Sequence, residues 1–126
     1  MSQDIISDAL NQIKNANNSG KKSVKIMRYS KFLINILEIM RAKKYIDRYE
    51  FSKDKKSLEI KIGNVNECQA IKPRLNVKKD SVEKYMRRFL PARNFGIILL
   101  STDKGLLTHE EAMEKNVGGA LVAYCY

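Results

Sequence analysis

An apolar run followed by a polar turn and a helix start is the feature that most constrains the fold of this chain. The four residues 97–100 are all Ile or Leu, the sequence STDKG follows them, and Thr108 with Glu111 has the spacing of a helix capping box. A short apolar run that ends at turn residues indicates a buried strand. The segment therefore predicts a strand, a tight polar turn at residues 101–105 and a helix that starts near Thr108.

Helical and strand periodicities alternate along the rest of the chain. Apolar residues recur at helical spacing in some segments and alternate with polar residues in others, and Ser30 is a good N-cap for the second helix. Asp80 and Glu83 predict a cap pair for the third helix. The predicted helices cover residues 4–17, 30–40, 80–90 and 109–116, and the predicted strands cover 23–28, 45–51, 58–62, 70–77, 94–101 and 118–126.

These elements predict an α+β fold made of two small domains. A short polar segment, GNVNECQ, opens on Gly63 and joins the two halves, and it places Cys68 in a polar linker. We predict an N-terminal domain at residues 1–66 with the order α-β-α-β-β. A C-terminal domain at residues 67–126 is predicted to be mainly β with short helices.

The charge of the chain favours a polyanionic partner. It has 24 Lys and Arg residues against 14 Asp and Glu residues, a formal net charge of +10. Residues 72–93 alone carry eight basic and two acidic side chains. Phosphate binding with release of counterions is the usual use of such an excess, and an anionic membrane surface or a merely soluble basic protein are the alternatives. We expect no membrane span and no secretion leader.

Residues that could support catalysis are few. His109 is the single histidine, and Met113 stands where a zinc-protease helix would need a second one, so we expect His109 in an exposed first helical turn. Cys68 and Cys125 are far apart in sequence, and we expect reduced thiols in a cytosolic protein. We predict no metal, no cofactor and no small-molecule substrate, and a small enzyme is the alternative.

The polar turn has two interpretations. Its hydroxyls can bond their own backbone, as in many turns. Alternatively, Ser101 and Thr102 can contact base edges and ribose hydroxyls, Lys104 can face a phosphate, and Gly105 can allow a close approach. The residues alone leave both interpretations open.

Two further polar surfaces also have two interpretations each. The basic residues between Lys72 and Arg93 form either a solvated face or a phosphate-binding surface, and we favour the second. The first helix carries Asn11, Lys14 and Asn15 on its polar side, where amides can bond sugar and base edges or simply face water.

Several separated blocks resemble one known family. The blocks are DALNQIKNA, YIDRYEF, IKPRLNVK, LPARNFGIILLSTDKGLLTHEEA and GGALVAYCY, and they occur in the order and spacing of the ribosomal protein S8 family of the small subunit. The likeness covers essentially the whole chain and is to the form found in archaea and eukaryotes. The sequence departs from the usual pattern at Asp103, where a hydroxyl residue is common.

The resemblance implies a role and a set of contact residues. It implies a cytoplasmic structural protein that binds the central domain of small-subunit ribosomal RNA, contacts neighbouring ribosomal proteins and supports assembly and translation without catalysis. A free-standing RNA-binding regulator is the alternative. The contact residues that the family pattern transfers to this chain are Ser101, Thr102, Gly105, Gly118, Gly119, Lys72, Arg74, Asn11, Lys14 and Asn15.

Overall fold

The computed structural model describes residues 5–71, 76–91 and 95–126. The chain divides into two compact units, residues 1–69 and 70–126. The domain boundary that the sequence suggests, after residue 66, stays a prediction, since a compact unit need not fold alone.

Helices and strands alternate along both units. No helix among the described residues is long and apolar enough to cross a membrane. The elements are α1 (Ile5–Asn18), β1 (Ser23–Ile26), α2 (Lys31–Ala42), β2 (Ile46–Phe51), β3 (Leu58–Ile62), β4 (Cys68–Ala70), β5 (Asn76–Val77), a 3₁₀ helix (Lys79–Ser81), α3 (Val82–Phe89), β6 (Ile97–Thr102), β7 (Gly105–Thr108), α4 (His109–Lys115) and β8 (Gly119–Cys125).

The first unit contains two helices and a three-stranded antiparallel sheet with the order β1-β3-β2. Each helix buries an apolar face, because its apolar residues recur every three or four positions. The Ser30 hydroxyl accepts a hydrogen bond from the Leu33 N–H at 3.2 Å, which confirms the predicted cap of α2. The β2–β3 hairpin pairs Phe51 with Leu58, so the predicted hairpin is also confirmed.

The second unit is built on a five-stranded sheet. Its order is β4-β8-β6-β7, and β5 pairs with β8 as well. One core holds α3, α4 and the sheet together, and it includes Val82, Met86, Leu100, Ala112 and Leu121. Helices and antiparallel sheets in one chain confirm the predicted α+β class.

Two strands were not predicted. After the turn the chain forms β7, which pairs with β6 from Leu99–Thr108 to Thr102–Gly105, before α4 begins. The polar segment before residue 70 ends in β4, where Cys68 is fully buried and its Sγ lies 3.4 Å from the Leu10 carbonyl oxygen. Placing Cys68 in a polar linker was therefore wrong, because pairing and burial decide the structure of this short segment more than its polarity does.

The predicted cap pair of the third helix is also wrong. Asp80 lies in the 3₁₀ helix, α3 starts at Val82, and its N-cap Ser81 makes no side-chain cap bond. Glu83 instead accepts a hydrogen bond from Arg87 Nη2 at 2.9 Å, one helical turn further along. Glu83 therefore forms an ion pair within α3 instead of the cap bond that the sequence pattern predicted at the helix start.

Candidate nucleic-acid interface

A tight turn joins β6 to β7 at one end of the second sheet. Ser101 and Thr102 are the last residues of β6, and Gly105 is the first of β7. Asp103, Lys104 and Gly105 are exposed. Gly105 has a φ of +103°, a conformation that residues with a side chain rarely adopt. The turn is therefore an exposed hairpin tip with a lysine at its end.

The Thr102 hydroxyl holds this turn in one shape. Its Oγ1 accepts the Lys104 N–H at 3.1 Å and donates to the Gly105 carbonyl oxygen at 2.8 Å. The interpretation that the hydroxyl bonds its own backbone is therefore correct for Thr102. An RNA contact at this turn would use a shape that is already fixed before binding, which lowers the entropic cost of binding.

The glycine pair lies at the start of the last strand, with Gly119 beside Ser101 and Thr102 and Gly118 beside Val77 and Lys79. A Cβ on Gly119 would be 2.4 Å from the Ser101 carbonyl oxygen, and a Cβ on Gly118 would be 2.2 Å from the Val77 carbonyl oxygen. Real Cβ atoms essentially never come so close to another heavy atom. The glycines therefore let β8 lie close to β5 and β6. Six of the predicted contact residues come together here: Ser101, Thr102, Lys104, Gly105, Gly118 and Gly119.

Asn76 is a further candidate that the sequence analysis missed. It pairs with Ala120 across β5 and β8, and Ala120 pairs with Ser101 across β8 and β6. Directly opposite residues place their side chains on one face of a sheet. Asn76 is exposed and Ser101 half-buried, with the small Ala120 between them. No sequence signal gives this neighbourhood, because it depends on the register of a two-residue strand.

The predicted contacts of the first unit lie on one helix. Asn11 and Asn15 are exposed and four residues apart on α1, so they share a face. Lys14 is half-buried, and its Nζ lies 2.8 Å from Glu67 Oε1. An RNA phosphate at Lys14 would have to compete with this carboxylate, whereas the two asparagines face solvent.

The predicted basic surface is described only in part. Lys72 and Arg74 lie outside the described residues, as does Arg93. The other basic side chains of this surface are all exposed: Lys78, Lys79, Lys84, Arg87 and Arg88.

His109 is buried, and the expectation of an exposed histidine was wrong. Only 1 % of it is exposed, and its Nδ1 accepts the Ile98 N–H at 3.1 Å. β7 ends where Thr108 pairs with Leu99, so the next N–H along β6 would lack a strand partner. The imidazole ring supplies the missing acceptor. The predicted capping box between Thr108 and Glu111 is confirmed and places the ring there.

Clear pKa shifts in the described residues belong to the first unit. Hydrogen bonds from Arg41 Nη2 (3.0 Å) and the Tyr49 hydroxyl (2.6 Å) lower the pKa of Glu38. Partial burial and the same carboxylate raise the pKa of Tyr49. The Glu38–Arg41 ion pair lies within α2, and the Tyr49 hydroxyl links it to β2 at the surface, so these shifts reflect structural contacts.

Comparison with known families finds a match over nearly the whole chain. The profile described as ribosomal protein S8 matches residues 4–126. The chain belongs to the ribosomal protein S8 family. The resemblance that the sequence blocks indicated is thus confirmed.

Relatives from two organisms match the chain over nearly its whole length. The small ribosomal subunit protein uS8 of Methanococcoides burtonii is 43 % identical over 127 residues, which cover 98 % of this chain and 97 % of that protein. The uS8 protein of Eremothecium gossypii is 41 % identical over 125 residues, with 97 % and 96 % covered. Members of the S8 family are ribosomal structural proteins rather than enzymes. The turn, the glycine pair and Asn76 of this chain form the candidate surface.

Proposed function

We propose that this chain binds small-subunit ribosomal RNA directly, in its central domain, through the β6–β7 turn and the glycine pair. In this role it is a structural constituent of the cytoplasmic small subunit, contacts neighbouring ribosomal proteins and supports assembly and translation. The observation that carries the proposal is the grouping of an exposed lysine, a fixed hydroxyl and two close-packed glycines at one end of a sheet. Membership of the S8 family and the net charge of +10 support it.

The mechanism combines phosphate neutralisation with recognition of shape. Lys104 and the exposed basic residues of the second unit neutralise phosphates, and this contribution is insensitive to sequence. The fixed turn and the small glycine and alanine residues let backbone groups approach an irregular RNA groove and its ribose 2′-hydroxyls. Asn11 and Asn15 on α1 add a weaker contact. Lys72 and Arg74 remain phosphate contacts proposed from sequence.

Footprinting tests the proposal as a whole. We expect the purified chain to protect one discrete site in small-subunit RNA from its own organism at physiological salt. Uniform weak protection along the transcript, equal to that of a random RNA, would contradict the proposed direct and specific contact.

Changing Thr102 to Ala should reduce discrimination between RNAs. The variant loses two hydrogen bonds that fix the turn, so we expect cognate affinity to fall about five- to tenfold. Affinity for a random duplex should change less than about twofold, because charge dominates that binding. Filter binding with both RNAs measures the two effects. Thr102→Ser keeps the hydroxyl and is the matched control, and equal losses on both RNAs would count against the role of the turn.

Changing Lys104 to Ala should make binding less dependent on salt. Removing one phosphate contact lowers the magnitude of the log affinity versus log salt slope by about 0.7–0.9. Lys53→Ala, at the exposed β2–β3 turn, removes the same charge from a different hairpin and is the control. Identical slopes for both variants would remove the phosphate contact assigned to Lys104.

A further inference from the structure

Five aromatic side chains of the second unit form a continuous series, which we call the aromatic row. In order they are Tyr85, Phe89, Tyr124, Tyr126 and Phe95. Successive ring centroids are 6.5, 5.4, 6.2 and 6.1 Å apart. The first three pairs are nearly parallel, at 17°, 29° and 12°, and the last is tilted by 45°. Phe95 is 48 % exposed, so the row ends in an open ring.

The aromatic row packs against the core of the second unit. Its first four members are partly buried and pack against the core that contains Met86, Leu90 and Ile98. Rings supported in this way lose little conformational freedom when a ligand stacks on them. The row therefore resembles a rigid platform rather than a set of independent surface side chains.

Positive charge flanks the row on α3. Lys84 and Arg88 are four residues apart on one side of the helix, next to Tyr85. The Arg88 guanidinium carbon lies 5.7 Å from the centroid of the Phe89 ring, within cation–π range. The acid of this helix, Glu83, is bonded to Arg87 one turn further along. The row thus places an open ring, Phe95, at one end and cations beside the other end, and single-stranded nucleic acids bind combinations of aromatic rings and cations.

We propose that Phe95, the open ring at the end of the aromatic row, stacks an unpaired nucleobase of an RNA strand, while Lys84 and Arg88 pair with its phosphates. The proposal rests on the proposed RNA-binding function and adds a second contact surface to it. Tyr124 is five residues along β8 from Gly119, so these two residues lie about 16 Å apart along the strand. An RNA molecule that contacts both would have its folded part at the turn and an unpaired segment on the row.

Two pairs of matched variants test the row in the full-length chain. The probe is a fluorescein-labelled oligouridylate of about eight nucleotides, read by fluorescence anisotropy. We expect Phe95→Ala to lower affinity about tenfold, because it removes one stacking surface. Phe51→Ala is its control, since Phe51 is also 48 % exposed but lies in the first unit. Affinity in the control should change less than about twofold.

The second pair separates ring-associated charge from total charge. Arg88→Gln and Arg87→Gln remove one cation each from adjacent positions of α3. We expect about a fivefold loss for Arg88→Gln and less than about a twofold loss for Arg87→Gln, because Arg88 lies over the Phe89 ring whereas Arg87 is bonded to Glu83. Ring resonances of the tyrosines in the row should shift when the oligouridylate is added.

A structured small-subunit RNA fragment, measured alongside, separates the two proposals. Wild-type chain that fails to prefer this fragment contradicts the proposed function. If Phe95→Ala and Phe51→Ala lose the same affinity for oligouridylate while binding to the fragment is retained, only the proposal for the aromatic row is overturned. Sedimentation without RNA is a further test. If the wild type self-associates and Phe95→Ala abolishes the self-association, the proposal for the aromatic row is overturned, because the row would then be a protein contact.

Discussion

Gly119→Ala is expected to lower the free energy of unfolding by about 2–3 kcal/mol. The new Cβ would lie 2.4 Å from the Ser101 carbonyl oxygen and 2.9 Å from Thr102 Cγ2. The carbonyl oxygen belongs to the backbone of β6, so the strand rather than a flexible side chain must move. We expect β8 to separate from β6 at the residues that form the candidate RNA surface, and cognate RNA affinity to fall with stability.

Urea denaturation followed by circular dichroism measures this loss. Gly20→Ala is the control, because Gly20 has a φ of +77° but nothing within 4 Å of the position of a Cβ. That variant tests backbone strain without crowding, and about 1 kcal/mol is expected for it. If Gly119→Ala unfolds at the same urea concentration as the wild type, the close packing of β8 on Ser101 is wrong.

His109→Ala is expected to lower the free energy of unfolding by about 3 kcal/mol. The substitution leaves a cavity where a fully buried ring packs and leaves the Ile98 N–H without its acceptor. His109→Asn should lose less, because the amide oxygen can still accept a hydrogen bond from that N–H.

RNA binding distinguishes a structural His109 from a functional one. Under conditions where both variants are folded, we expect cognate affinity within about twofold of the wild type, since the ring is buried away from solvent. An alanine variant as stable as the wild type would contradict the structural role. A stable variant that has lost RNA binding would contradict it in a different way, by making His109 a contact residue.

Local sequence predicted the elements whose burial pattern is regular. α1 and α2 each keep their apolar residues on one face, and the β2–β3 hairpin alternates around a polar turn. Ser30 and the Thr108–Glu111 pair are caps that depend only on residues three positions apart. Such short-range patterns can be recognised before any tertiary contact is known.

Elements that depend on distant partners could not be predicted in this way. β4 has three residues and β7 has four, and strands this short are stabilised by pairing with neighbours rather than by their own sequence. His109 was predicted to be exposed because it follows a helix cap. In the structure it is buried, and its ring accepts a hydrogen bond from the Ile98 N–H of β6. Glu83 fits both a capping pattern with Asp80 and an ion-pair spacing with Arg87, and the structure shows the bond to Arg87.

The candidate site was predicted through family resemblance more than through physical reasoning. The resemblance named the turn and the glycines, but only the structure explains why Gly118 and Gly119 must lack side chains. It also adds Asn76 through strand register. The roles of all these residues in RNA binding stay predictions until the variants are measured.

The central position of β8 has a consequence for the order of events during folding. The β6–β7 hairpin joins neighbours in sequence and can close quickly, whereas β8 must find β5 and β4, which are far from it along the chain. The corner where Ser101 meets Gly119 exists only once β8 has paired with β6. A nucleic acid that binds the corner would therefore select chains in which the last strand is in place, and by mass action it would act as a folding ligand for the whole second unit.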